Sequence, residues 1–335
     1  MKKEKAMKKK YAGLSSFIFW KGLWITMRPY LLFVSGVAGM AGFVDGAERG
    51  IGVTVGVFFV FFLAYGFGQA LTDCFQMDTD SISSPYRPLV QGIIRRRQVL
   101  PVSLLGLLAG CAALLLLNPL ILLPGFLCIT GLATYTYFKR RWWGGPFYNA
   151  WIVALLPIIG KMAATGSGNS ISNIFESGIL IFIIISVFFS YANFVLMGYF
   201  KDISADEASG YNTFVVAYGW KKAAVGSDIF AFLSVLATGL GLSKVLWKEA
   251  FFSWSWAAIP VYLTAITVLI MAQVKIHRIR EEKKTHGPIA NVVRGFLLLH
   301  IAEIILLKPA WILFAVLFYA SFEITLKRRP EKGQV

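Results

Sequence analysis

Acidic residues are scarce in this chain. Seventeen Asp and Glu stand against 33 Lys and Arg, a formal net charge of +16 at pH 7. Such a surplus would suit nucleic acid, but the basic residues sit in short clusters beside apolar runs, which is the pattern of membrane topology. No nucleic-acid partner is expected. Cysteine is scarcer still: Cys74, Cys111 and Cys128 form no CxxC pair, and two of them lie inside apolar runs. That argues against a disulfide framework and a zinc site. The short alternating segments of a β-barrel are missing, as are short-period repeats and low-complexity tracts. The lysine-rich start, Met1 to Lys10, runs into polar Ser15 and Ser16 and then a full-length apolar run, with no small-residue cleavage site. No removable signal peptide is expected.

What the chain has is hydrophobic length. Its residues are 57% hydrophobic, its mean hydropathy is +0.66, and many uncharged runs reach the roughly 18–20 residues that cross ~30 Å of hydrocarbon. Helices satisfy their own backbone groups in lipid, so the expected fold class is all-α, a polytopic membrane bundle of nine to ten transmembrane helices. Ten spans fit best, near 23–44, 51–72, 99–117, 119–138, 147–165, 174–200, 223–243, 255–274, 290–307 and 309–326. With the N-terminus in the cytosol, 26 of the 33 Lys and Arg fall on the cytosolic side. The organisation is then a basic cytosolic segment 1–22, one transmembrane unit 23–326 and a basic cytosolic tail 327–335. Loops on the far side, 45–49 and 166–173, carry little chemistry.

The few acids are concentrated. Asp73, Asp78 and Asp80 follow the run Ile51 to Leu71, and Asp202, Asp206 and Glu207 follow the run Ile174 to Phe200. On a continuous helix Asp73 and Asp80 share one face, as do Asp202 and Asp206, whereas Asp78 points about 140° away from Asp73. Asp78 can join the others only if the helix ends before it. Like charges placed this way near hydrocarbon repel, and a divalent cation removes that cost. Magnesium takes a few carboxylates and completes its octahedron with water and phosphate oxygens. Nearby cations, Arg87, Arg95 to Arg97, Lys139, Arg140, Arg141 and Lys201, suit a diphosphate whose departure needs charge neutralisation.

Thr72-Asp73-x-x-Gln76-x-x-x-Asp80 with Ser84-Pro85-Tyr86-Arg87-Pro88-Leu89 resembles the NDxxDxxxD and KPxRPI signature of UbiA-type intramembrane prenyltransferases. Asp202-x-x-x-Asp206, then Gly210 to Thr213 and Gly219, resembles their second motif, and Arg28-Pro29 their start. Tyr135 to Lys139 with Asn149 resembles their basic, tyrosine-bearing loop, and the wording is nearest the chlorophyll synthase-like branches.

The resemblance implies a bundle of mostly nine helices around a central cavity open to lipid and to the cytosolic side, and two Mg²⁺ ions that bridge the acidic motifs to an isoprenyl diphosphate. The allylic C–O bond ionises and a small acceptor, aromatic or otherwise, captures the cation. Carried over by position, the metal ligands are Asp73, Gln76, Asp80, Asp202 and Asp206, with Asp78 in reserve. Arg87, Lys139, Arg140 and Lys201 would hold the diphosphate. Tyr135 and Tyr199 are the rings expected in the cavity, where π faces shield a carbocation. Three positions depart from the pattern: Thr72 for Asn, Gln76 for Asp, and Glu207 for a basic residue. A terpene cyclase on the same scaffold, or a transporter with an acidic mouth, are the rival readings.

Several other ionisable groups fall in or near apolar runs. Asp228, Arg294 and Glu323 lie near predicted span ends, where snorkelling suffices. His300 and Glu303 share a face and either line an acceptor pocket or bond each other. Lys161 faces either the cavity or the far interface. Cys74 reads as a packing residue.

Overall fold

The structure is a computed structural model that describes residues 11–167, 174–249 and 253–329. The first ten residues of the expected segment 1–22, most of the loop 166–173 and the last six residues of the tail 327–335 lie outside the described residues.

The described elements are helical. In chain order they are α1 (Phe17–Thr26), α2 (Leu32–Val44), α3 (Ile51–Asp73), α4 (Met77–Ser83), α5 (Pro88–Gln91), α6 (Arg96–Leu115) and α7 (Leu122–Arg141). There follow α8 (Gly145–Thr165), α9 (Leu180–Tyr199), α10 (Ile203–Ala208), α11 (Phe214–Leu246), α12 (Ala258–Arg278), α13 (His286–Leu307) and α14 (Ile312–Lys327). Nine helices among the described residues are long and apolar enough to cross a bilayer, and the bent pair α1 with α2 makes a tenth. All ten expected spans therefore have a helix. The short links at Asn118-Pro119 and Lys308-Pro309 are turns led by a proline in a 3₁₀ segment, where the ring fixes φ and no N–H is needed.

The first span differs from its expectation. It starts earlier, at Phe17, and bends by 44° where Met27 and Arg28 separate its two parts. Pro29 denies its neighbour the right-handed helical region. Arg28 instead takes φ 53°, ψ 73°. It is the one non-glycine with positive φ among the described residues.

Two crossings set the bundle. Helix α13 is the central post, with 89% of its apolar window buried, against 22% for α3, α6 and α14. It packs on α12, α9 and α2. Helices α2 and α8 approach at backbone distance: a Cβ added at Gly42 would lie 1.9 Å from the Pro157 carbonyl, and one at Gly160 2.1 Å from the Gly39 carbonyl. Small residues at such a crossing are how helices gain van der Waals contact when lipid gives no hydrophobic drive. The α2–α8 pair, with α3, α6, α7 and α9 around it, frames a cavity.

Candidate active site

The cavity holds about 190 Å³. Its deep wall is apolar, with Leu31, Ile129, Leu132, Val153, Leu156 and Phe194, and its other end carries the charged residues. Those are Arg28, Asp80, Arg87, Lys139, Lys201 and Asp202, together with Gln76, Tyr135 and Tyr199.

Both acidic motifs are built as a helix end followed by a short helix. Helix α3 stops at Asp73 and α4 restarts at Met77, so Asp73 and Asp80 do not share the continuous helical face expected of them. They are joined by Arg87, which ion-pairs with Asp80 and lies 3.4 Å from Asp73. In the second motif Asp202 stands at the N-cap position of α10 without a side-chain capping bond, and Asp206 sits one turn into the helix. Helix α4 packs on α10, which brings the two motifs together.

The expected residues divide by depth. Asp80 and Asp202 line the cavity; Asp73 and Asp206 do not. Asp73 is 2% exposed and accepts from Arg28 at 3.0 and 3.2 Å and from Gln69 at 2.7 Å. Asp206 is fully buried, with Lys139 3.4 Å away and no hydrogen bond to either carboxylate oxygen among the described residues. Lys139 also donates to the Gln76 carbonyl at 3.3 Å and lies 5.2 Å from the Tyr199 ring and 5.1 Å from the Tyr211 ring. Gln76 donates in turn to Thr136. The Tyr135 and Tyr199 hydroxyls meet at 2.9 Å inside the cavity wall.

Besides Asp73 and Asp206, two further expected residues, Asp78 and Arg140, do not line the cavity. The helix does end before Asp78, yet its carboxylate pairs with Arg140 at 2.8 Å and accepts from the Tyr211 hydroxyl at 3.2 Å. Arg140 stacks over Tyr211 and donates to the Phe75 carbonyl, while its own carbonyl accepts from Asn212. These residues form a clasp that ties the end of α7 to both motif loops. Outside the spans, burial shapes protonation. It raises the Asp80 carboxyl to about 6, opposed mainly by Arg87, and raises Asp206 to about 6, opposed mainly by Lys139. It also lowers Lys201 to about 8.

The donor set suits a hard divalent cation such as Mg²⁺: carboxylate oxygens facing a cavity, and buried Asp206, which among the described residues has the Lys139 ammonium nearby but no hydrogen bond to its oxygens. Among the described residues no three His, Cys, Asp or Glu side chains gather into one metal cluster, so water and phosphate oxygens would complete the shell.

Sequence reasoning missed Gln69, whose signal was its place four residues before Asp73 on one helix, and it gave Arg28 no role. The remaining intramembrane ionisable groups are paired away from the cavity. His300 and Glu303 bond each other at 2.7 Å, and Ser190 and Thr238 complete their network. Arg294 forks onto Glu323 at 2.6 and 2.9 Å, and Asp228 meets His277 at 2.7 Å. These three near-end residues pair rather than simply snorkel. Lys161 holds Asp45 at the end of the bundle opposite the motifs. Cys74 is buried in packing, and all three cysteines are free.

Comparison with known proteins places this geometry. The model of the UbiA prenyltransferase family matches residues 31–291. A digeranylgeranylglyceryl phosphate synthase from Pyrococcus furiosus is 29% identical over 242 residues, 68% of this chain and 82% of that protein. One from Halobacterium salinarum is 27% identical over 259 residues, covering 75% and 87%. Neither carries the chlorophyll synthase name to which the motif wording leaned. Among solved structures, a UbiA homologue from Aeropyrum pernix without ligand superposes with a TM-score of 0.68 at 18% identity, over 80% of this chain and 96% of that one. A UbiA homologue from Archaeoglobus fulgidus bound to DMAPP and Mg²⁺ gives 0.58 at 15% identity, over 83% and 99%.

Proposed function

Because the chain belongs to the UbiA prenyltransferase family, whose model covers most of its length, we propose that it ionises a prenyl diphosphate in this cavity and transfers the chain to a glyceryl phosphate-type lipid acceptor. It is an integral, multi-pass membrane protein, and the excess of Lys and Arg at the motif end supports placing that end in the cytosol.

One observation carries the reading: a single cavity joins a charged end, with Arg87, Lys139, Lys201, Asp80 and Asp202, to an apolar wall. A prenyl diphosphate has that same division, with an anionic head and a hydrocarbon tail. Arg87 and Lys139 are fixed cations held by buried aspartates, so they neutralise charge on the departing diphosphate without reorganising. Mg²⁺ would be held by Asp80 and Asp202, with Asp206 behind, and supplies Lewis-acid neutralisation of the leaving group when bound. Tyr135 and Tyr199 line the same cavity, where their π faces would shield developing allylic charge. Lys139 lies against Tyr199, which orients that ring. The acceptor class is supported by the names of the relatives from P. furiosus and H. salinarum.

The test is product analysis. Purified protein in detergent receives radiolabelled geranylgeranyl diphosphate, Mg²⁺ and either a prenylglyceryl phosphate or a 4-hydroxybenzoate-type aromatic acceptor. The proposal expects a doubly prenylated glyceryl phosphate. An aromatic product refutes the acceptor assignment, and a hydrocarbon formed without any acceptor favours the cyclase.

A further inference from the structure

We infer that this chain handles its diphosphate with one divalent cation rather than two, seated at Asp80 and Asp202, and that Asp73 serves to hold Arg28 and Arg87 as an anion cradle. The inference rests on the diphosphate reading above and concerns how that head group is neutralised.

The oxygens of the first motif are already engaged. Asp73 Oδ1 accepts from Arg28 Nη2 at 3.0 Å and Gln69 Nε2 at 2.7 Å, with Arg87 Nη1 at 3.4 Å, and Oδ2 accepts from Arg28 at 3.2 Å. A carboxylate offers about four lone-pair sites, so these partners leave Asp73 little to give a metal. It also lies behind the cavity surface. Gln76 is neutral and has one side-chain oxygen, which already takes the Lys139 ammonium at 3.3 Å. Its amide nitrogen is committed to Thr136 at 3.2 Å. Of the first motif, Asp80 alone presents a carboxylate to the cavity; its Oδ2 is paired with Arg87, which leaves Oδ1 as the oxygen a metal would take. From the second motif Asp202 does the same, while Asp206 stands behind Lys139. Two facing carboxylates make one site.

The cations make up the difference. Arg28 is fixed by its backbone as well as by Asp73. Its left-handed conformation is strained for a residue with a Cβ, and such strain persists only where the surroundings impose it. The bend before Pro29 and the bifurcated bond from Nη2 to both Asp73 oxygens hold the Arg28 guanidinium at the cavity it lines. Arg87 stands beside it, 3.4 Å from the same Asp73, and the Lys139 ammonium already supplies positive charge at Gln76, 3.3 Å from its side-chain oxygen. Planar guanidinium forks suit phosphate oxygens. A neutral Gln76 in place of a carboxylate also removes one negative charge that a second dication would answer.

The experiment counts ions instead of turnover. Full-length protein in detergent is dialysed against Mn²⁺ with saturating inorganic pyrophosphate, and bound Mn²⁺ per chain is read by EPR. One Mn²⁺ per chain is expected for the parent, and two for Gln76→Asp, a gain that misfolding does not mimic. Asp73→Asn should keep its single ion with affinity changed less than about tenfold, whereas Asp80→Asn and Asp202→Asn should weaken it by at least about 100-fold, beyond the usual outer-shell loss. Two ions in the parent, or loss of the ion in Asp73→Asn alone, overturns the inference. If no pyrophosphate-dependent Mn²⁺ is taken up by parent or Gln76→Asp, the diphosphate reading fails and this inference with it.

Discussion

Lys139 sits where three demands meet: it neutralises buried Asp206, donates to Gln76 and lies against the Tyr199 and Tyr211 rings. Its charge is preorganised, and losing one such group at a site of developing charge typically lowers kcat by about 10²–10³. Lys139→Met should therefore cut diphosphate release by about that factor under saturating Mg²⁺; a loss below about threefold removes Lys139 from the reaction. A second expectation concerns pH. Burial holds Asp80 and Asp206 near 6, above the ordinary carboxylate value, so the folded state takes up protons more readily than the unfolded one. Stability then falls as pH rises from about 4 through 6, and the whole cost is present above that. A dication competes with those protons, so Mg²⁺ should raise Tm more at pH 7.5 than at pH 5. Equal gains at both values would mean that these carboxylates do not meet the ion. At this scale the acidic positions were legible because the sequence is otherwise so poor in acid. Their partners were not. Arg28 depends on a backbone bend, and the destination of Asp78 on a tyrosine 133 residues away.

Helices were legible by length, and their breaks less so. Pro29 announces the bend in the first span. The expected end of the second span near residue 72 agrees with α3 stopping at Asp73, whereas the turn that lays α4 against α10 has no comparably plain mark. The α2–α8 crossing gives a direct test. A side chain at Gly42 has no room beside the Pro157 carbonyl, and overpacking typically costs about 1–3 kcal/mol. Gly42→Val should lower Tm in detergent measurably, whereas Gly52→Val, where a Cβ meets nothing within 4 Å, should not; equal effects would contradict the crossing. The His300–Glu303 pair tests the packing of α13 on α9 and α11. Removing one member of a buried pair costs about 3–5 kcal/mol, while replacing both with apolar groups is often neutral. Glu303→Leu alone should destabilise strongly, and His300→Leu added to it should restore most of the loss. No recovery in the double variant would show that the pair acts through something other than its mutual contact.

Over the whole molecule, charge is sorted by depth and by end. The motif end gathers the basic clusters and both acidic motifs, the middle is closed by paired groups, and the cavity connects the charged end to an apolar wall. The sequence carried this arrangement through its apolar lengths, its Lys and Arg placement and its paired motifs, because each follows from transfer free energy along one axis. Cavity shape was not legible, since it depends on how α2, α3 and α7 to α9 lean on one another. The central claim is that this cavity ionises an allylic diphosphate. It is tested most directly by measuring diphosphate release from C10 to C20 prenyl diphosphates by the purified protein, with Mg²⁺ or with EDTA, beside Asp202→Asn. The account predicts release that requires Mg²⁺ and is abolished in Asp202→Asn. Folded parent protein that releases no diphosphate from any donor, with acceptor present, would contradict it.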